Sequence, residues 1–113
     1  DKFTISDKMW TSAIRRKENN RKRGYGFGFS LFDKDSEYTS TISARYYKDG
    51  SEIWIDQDSK NPRMITPNEA RKLQGFPEGF KIPVSNLQAY KQFGNSVSVP
   101  VIRAIAERIV KLL

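Results

Sequence analysis

The chain has 113 residues, enough for one modest core, yet only 37% are apolar, against the roughly 45–50% usual on a count that includes Gly. With no Cys and no His it excludes a disulfide framework and a thiolate metal site, and no metal is expected. No apolar run approaches the roughly 18 residues of a membrane span and no signal-peptide pattern opens the chain, so a cytoplasmic, non-membrane protein is expected.

The net charge of +7 is unevenly placed. Lys8, Arg15, Arg16, Lys17, Arg21, Lys22 and Arg23 face a single acid, Glu18, so residues 8–23 carry +6 of it. Such a cluster suits a polyanion, of which nucleic acid is the commonest, or else it is a solvated helix face.

In chain order, Ser6 or Asp7 can cap a helix over residues 7–23, with Met9, Trp10, Ala13 and Ile14 as an apolar stripe and Gly24 as its stop. The first half packs and the second half is all charge. Asp1 rather than Met opens the sequence, so a piece of a longer protein is expected.

Residues 24–32, Gly-Tyr-Gly-Phe-Gly-Phe-Ser-Leu-Phe, alternate aromatics with glycines and predict a strand with one bulky and one bare face. The bare face suits a neighbouring strand or a closely approaching DNA backbone. After a polar loop, residues 39–47 predict a second strand, Lys48-Asp49-Gly50 a hairpin turn, and residues 51–56 the returning strand with Ile53 and Ile55 on one face. Residues 63–65 can add a short fourth strand.

Thr66-Pro67-Asn68-Glu69 is a capping box with proline in the first helical position. It predicts a helix to Leu73 or Gln74 that stops at Gly75, with Ala70 and Leu73 inward and Phe76, Phe80 and Ile82 anchoring the next loop. Ser85, with Gln88 three residues on, opens another helix that breaks at Gly94-Asn95. Gly94, Asn95 and Ser96 then form a polar elbow, either a plain helix junction or a place for a small polar or anionic ligand at the next helix start. The last helix runs from Pro100 to Leu113, with Val101, Ile105, Ile109 and Leu112 on one broad apolar face. The sum is an α+β fold: a small mixed domain with a three- to four-stranded antiparallel sheet, an N-terminal basic helix and a C-terminal apolar helix.

Two stretches are far less generic than the rest. Gln-Ala-Tyr-Lys-Gln-Phe-Gly-Asn-Ser-Val at 88–97 resembles the last motif of the cytosine-5 DNA methyltransferases, and Arg-Met-Ile-Thr-Pro-Asn-Glu-Ala-Arg-Lys-Leu-Gln-Gly-Phe-Pro at 63–77 resembles the motif before it. Residues 1–56 are similar to the variable target-recognition region of the bacterial Dcm-like branch, most of all Ser-Ala-Arg-Tyr-Tyr-Lys-Asp-Gly-Ser-Glu-Ile at 43–53.

The resemblance implies a two-lobed enzyme in which a Rossmann-like lobe binds S-adenosylmethionine and a small lobe reads double-stranded DNA, the target cytosine being flipped out for methylation at C5. A cysteine thiolate attacks the base in that family. This chain has no Cys and no glycine-rich cofactor motif, so it carries no catalytic residue and is expected to be inactive alone. By resemblance residues 1–82 form the recognition domain, and residues 83–113, with the apolar helix, pack on the missing catalytic lobe. Thr41-Ile42 matches the recognition core, whose threonine contacts the backbone beside the flipped base. Arg45 is a candidate for a guanine, or else pairs with Glu52 or Asp49. Arg15, Arg16, Lys17, Arg21, Lys22 and Arg23 would touch phosphates, and Asn95 and Ser96 would line the cofactor pocket without holding S-adenosylmethionine tightly on their own. The expected partners are duplex DNA, a missing catalytic domain or subunit, and a second copy through the terminal helix. Two other readings stay open: a natural small subunit of a split methyltransferase, and a stand-alone basic nucleic-acid-binding module.

Overall fold

The computed structural model describes residues 2–24, 28–48 and 50–113. Its order is α1 (Asp7–Lys22), β1 (Leu31–Phe32), β2 (Trp54–Gln57), β3 (Lys60–Met64), α2 (Pro67–Leu73), α3 (Asn86–Asn95) and α4 (Val99–Leu112). The class is α+β, as the patterning predicts. The chain forms two compact units, one of Asp1–Ile42 with Lys48–Ile65, the other of Ser43–Tyr47 with Thr66–Leu113.

The first unit is built on α1 and a three-stranded sheet in the order β1-β2-β3. Ser6 accepts a 3.2 Å hydrogen bond from the Met9 amide at the start of α1, and Gly24, at φ +79°, follows its end. The half-buried Met9 and Trp10 and the buried Ala13 pack with Ile5, Phe29, Trp54 and Met64. Trp10 lies 5.0 Å from Phe29 and 6.1 Å from Trp54, ring to ring, and Phe29 stacks on Trp54 at 5.5 Å. Three large aromatics thus replace the long aliphatic core that the composition cannot supply.

The sheet is mixed rather than purely antiparallel. β2 and β3 are antiparallel, whereas β1 runs parallel to β2, with Leu31 opposite Trp54 and Phe32 opposite Ile55. A parallel pair needs a crossover of a dozen or more residues, which residues 33–53 provide. The hairpin is also displaced. It turns after Gln57 through Asp58, at φ +59°, and not at Lys48-Asp49-Gly50, of which Asp49 lies outside the described residues. Gly50, at φ +65°, opens a tight turn instead, its carbonyl accepting from the Ile53 amide at 3.0 Å. The Asp-Gly pair was the stronger local signal, but the cross-strand register follows buried Trp54 and half-buried Met64, which pack into one core.

The expected strand at 39–47 is not formed. Residues 44–47 turn instead, the Ser43 carbonyl accepting from the Tyr46 amide at 3.1 Å, and Ile42 and Tyr46 are both buried. Of the expected strand at 24–32, only Leu31–Phe32 pairs, and Tyr25 to Phe27 lie outside the described residues. The bare side of Gly28 faces α1: a methyl there would come within 2.8 Å of Cγ of Lys17.

In the second unit the capping box of α2 forms as read, the Thr66 amide donating to Glu69 Oε1 at 2.8 Å and the Glu69 amide to Thr66 Oγ1 at 3.1 Å. Ala70 is buried, but Leu73 is exposed and the buried positions beside Ala70 are Arg71 and Gln74. Ala70–Leu73 and Ala70–Gln74 are both same-face pairs on a helix, and hydropathy chose the wrong one. Of the loop anchors, Phe76 and Ile82 are half-buried and Phe80 is exposed. Phe76 packs 5.5 Å from Phe93 and 4.8 Å from Phe80.

Buried Ala89, Tyr90 and Phe93 hold α3 in place, while α4 has no buried residue. Val101, Ile102, Ile105 and Ile109 stand between 47% and 53% exposed on it. Among the described residues no helix is long and apolar enough to cross a membrane.

Candidate nucleic-acid interface and cofactor-side turn

Past Ile14 the apolar stripe of α1 ends, so nothing pulls its remaining turns into the core. Arg15, Arg16, Lys17, Arg21 and Lys22, and Arg23 at the cap, are all exposed. Arg15 and Lys22 are seven residues apart on one flank, about 10 Å along the helix at 1.5 Å per residue. That equals about three phosphate steps of one strand. Lys17 also serves the fold: its Nζ donates to the Phe29 carbonyl at 3.2 Å and sits 4.3 Å from the Phe29 ring centre. Part of its charge therefore fixes residues 28–29 against α1. Ile14, Glu18 and Arg21 form a shallow groove with Lys17 and Phe29.

Thr41 is exposed and Ile42, beside it, is only 4% exposed. Ile42 anchors the segment by burial, leaving Thr41 at the surface. Arg45 is exposed in the turn that follows, which belongs to the second unit; its amide donates to Ser43 Oγ at 3.3 Å. Buried Tyr46 packs 5.1 Å from Tyr90, and the Lys91 ammonium lies 5.0 Å over the Tyr47 ring. The backbone of Ser43 and Ala44 passes directly over Gly94, leaving no space for a Cβ.

Gly94 and Asn95 are the last residues of α3, so the elbow begins at Ser96, two residues later than the glycine suggests, and Ser98 stands at the N-cap position of α4 without a side-chain capping bond. Asn95 is exposed and Ser96 half-buried. The Phe93 carbonyl gathers three donors: Ser96 Oγ at 2.8 Å, the Ser96 amide at 3.3 Å and Gln74 Nε2 at 2.7 Å. The start of α4 is a poor anion site, because the Val99 amide is taken by the Gln74 carbonyl at 2.8 Å and Pro100 has no N–H. What the turn presents is the Asn95 carboxamide, both donor and acceptor, and the Ser96 oxygen, whose proton is committed to Phe93.

Arg71 and Gln74 escaped sequence reasoning. Arg71 is 3% exposed; its Nε donates to Asn68 Oδ1 at 2.9 Å and a terminal nitrogen to the Phe76 carbonyl at 2.8 Å. The only sequence signal was position, Arg71 next to Ala70 and Gln74 one turn after it, on a helix too short to fix its inner face by periodicity.

The family model for C-5 cytosine-specific DNA methylase matches residues 1–111. The type II methyltransferase M1.ScrFI of Lactococcus lactis subsp. cremoris is 66% identical over the whole chain, which covers 29% of that protein. M.NlaX of Neisseria lactamica is 68% identical over 96% of the chain and 34% of the relative. Among solved structures, the Entamoeba histolytica methyltransferase EhMeth superposes with a TM-score of 0.68 at 26% identity, over 94% of this chain and 35% of that one. The chain thus spans about a third of the length of the relatives it matches. A match running from the basic helix to the apolar one places the chain in the C-5 cytosine-specific DNA methylase family.

Proposed function

We propose that this chain is the target-recognition and closing part of a bacterial cytosine-5 DNA methyltransferase of the Dcm-like branch. The observation that carries this reading is a family match over nearly the whole chain, to relatives of which the chain is about a third, in a sequence without a cysteine. Relatives named type II methyltransferases point to a role in restriction-modification, and the Escherichia coli DNA-cytosine methyltransferase, 38% identical over 94% of the chain, to the branch.

The task of this part is to hold duplex DNA. The exposed guanidinium and ammonium groups of α1 bind phosphates and set the register, and this attraction carries no sequence information. Thr41 bonds a backbone oxygen near the target base and Arg45 reaches a guanine edge, a reading supported by the exposure of both side chains. The cytosine leaves the stack for a pocket in the catalytic lobe, where a thiolate absent from this chain works on it. S-adenosylmethionine, when bound, supplies the methyl group. Asn95 and Ser96 fit one polar edge of its site, as a donor-acceptor amide and a hydroxyl oxygen, and a single turn cannot enclose it. The apolar face of α4 packs on that lobe.

Complementation tests the reading. The catalytic portion of a relative, truncated before the region that aligns with this chain, is mixed with it and scored for transfer of labelled methyl to duplex DNA. Transfer only in the mixture supports the proposal. A mixture as silent as either piece, with both pieces folded by circular dichroism, overturns it.

A further inference from the structure

Gln74 touches neither DNA nor cofactor in the reading above, yet it is among the few buried polar residues of the second unit, at 9% exposed. Its side chain donates to the Phe93 carbonyl at 2.7 Å and its backbone carbonyl accepts from the Val99 amide at 2.8 Å. One residue thus holds the end of α3, where Asn95 stands, and the beginning of α4, the two posts between which Ser96 to Ser98 hang. The next residue closes the approach from behind: Gly75, at φ +80°, lies so near Pro100 that a Cβ would overlap Cδ and stand 2.9 Å from Cγ. The capping box and the two Arg71 bonds fix the helix and loop from which Gln74 reaches.

We infer that Gln74 is a positioning residue for cofactor binding, setting the turn that carries Asn95 and Ser96 by holding the Phe93 carbonyl that also receives the Ser96 hydroxyl. The inference rests on the proposed cofactor role of that turn. Without the amide donor the carbonyl keeps only the two Ser96 bonds, which are local to the turn and do not tie it to α2.

The experiment uses the complete methyltransferase, this chain joined to its catalytic portion, with Gln74→Met and Asn95→Ala. Gln74→Met keeps length and volume and removes the donor. The expected result is a KM for S-adenosylmethionine raised about threefold to tenfold, the effect of one neutral hydrogen bond, with kcat and the KM for DNA within twofold. A merely structural role would instead lower the Tm and move kcat and both KM values together, and that result overturns the inference. So does an unchanged cofactor KM in Gln74→Met when Asn95→Ala raises it. If Asn95→Ala also leaves it unchanged, the cofactor reading of the turn falls, and the inference with it. Should Gln74→Met not fold, amide exchange of the unmodified enzyme decides: saturation with S-adenosylhomocysteine should protect the Val99 and Ser96 amides, and no added protection at Val99 overturns the role of Gln74.

Discussion

Replacing Gly94 with Ala tests whether the turn at Ser43–Tyr47 is held by close backbone packing. Gly94 lies in α3 with an ordinary helical backbone, so Ala brings no conformational strain and gains about 1 kcal/mol of helix propensity. Against this, the new methyl would overlap the carbonyl of Ser43 and the amide of Ala44. These are backbone atoms, held by Tyr46, which is fully buried against Tyr90, so they cannot swing aside as a side-chain end would. Overpacking of this kind costs about 1–3 kcal/mol. The net expectation is a loss of about 0–2 kcal/mol, towards the upper end because the overlap is with backbone, or up to roughly 12 °C in Tm for a domain of this size. Gly79→Ala is the control, since nothing lies within 4 Å of its Cβ position. Thermal melting by circular dichroism reads both. A Gly94→Ala protein that melts at or above the parent, with Gly79→Ala unchanged, would show that the turn does not rest on α3.

Binding of a short duplex should fall with salt at a slope of log affinity near −5 if about six phosphates are neutralised, and anisotropy titrations from 50 to 200 mM salt should lose about 1000-fold; a slope shallower than −2 removes α1 from the interface. Arg21→Ala should flatten the slope by about 1, and Lys17→Ala by less, because its ammonium already serves the Phe29 carbonyl. Trp54→Ala, at 1% exposure between Phe29 and Trp10, should cost about 3–5 kcal/mol and leave the first unit unfolded or nearly so, read by denaturant titration of the remaining Trp10 fluorescence. Self-association through α4 should be confined to about the millimolar range, and Ile105→Lys with Ile109→Lys should abolish it in sedimentation; tighter association, or association unchanged by the pair, places the contact elsewhere.

The helices were legible because their ends are local chemistry. Ser6, Gly24, Thr66 with Glu69, Ser85 and Pro100 each mark a boundary through a hydrogen bond or a φ angle that needs no distant partner. The sheet was not, because strand pairing here is decided by three aromatics from distant parts of the chain. Phe29 and Trp54 stack, and the parallel pairing of Leu31 with Trp54 follows from it, whereas the Asp-Gly pair offered a local hairpin that the core does not use. Around the site the same division holds. The exposure of the α1 cations was legible in advance, and the break after α3 was legible to within two residues of Gly94. Gln74, which grips that break from behind, could not, because its inward position depends on Phe93 arriving from nineteen residues away.

Two surfaces of the chain are incomplete, and they are incomplete in opposite ways. α1 concentrates positive charge that only an anion can neutralise. α4 shows Val101, Ile102, Ile105 and Ile109 half-exposed along one side. Covering the exposed half of four such side chains yields about 4 kcal/mol, at 1.5–3 kcal/mol for each fully buried one. A second copy would bury its own four as well, about 8 kcal/mol in all, and an association cost of about 4–15 kcal/mol taken from that leaves a Kd no better than about 1 mM. A lobe on the same polypeptide has no such cost to meet. The same apolar face that makes a feeble dimer is therefore ample as an intramolecular contact, and this difference favours a catalytic lobe over a second copy as the surface α4 is shaped to cover.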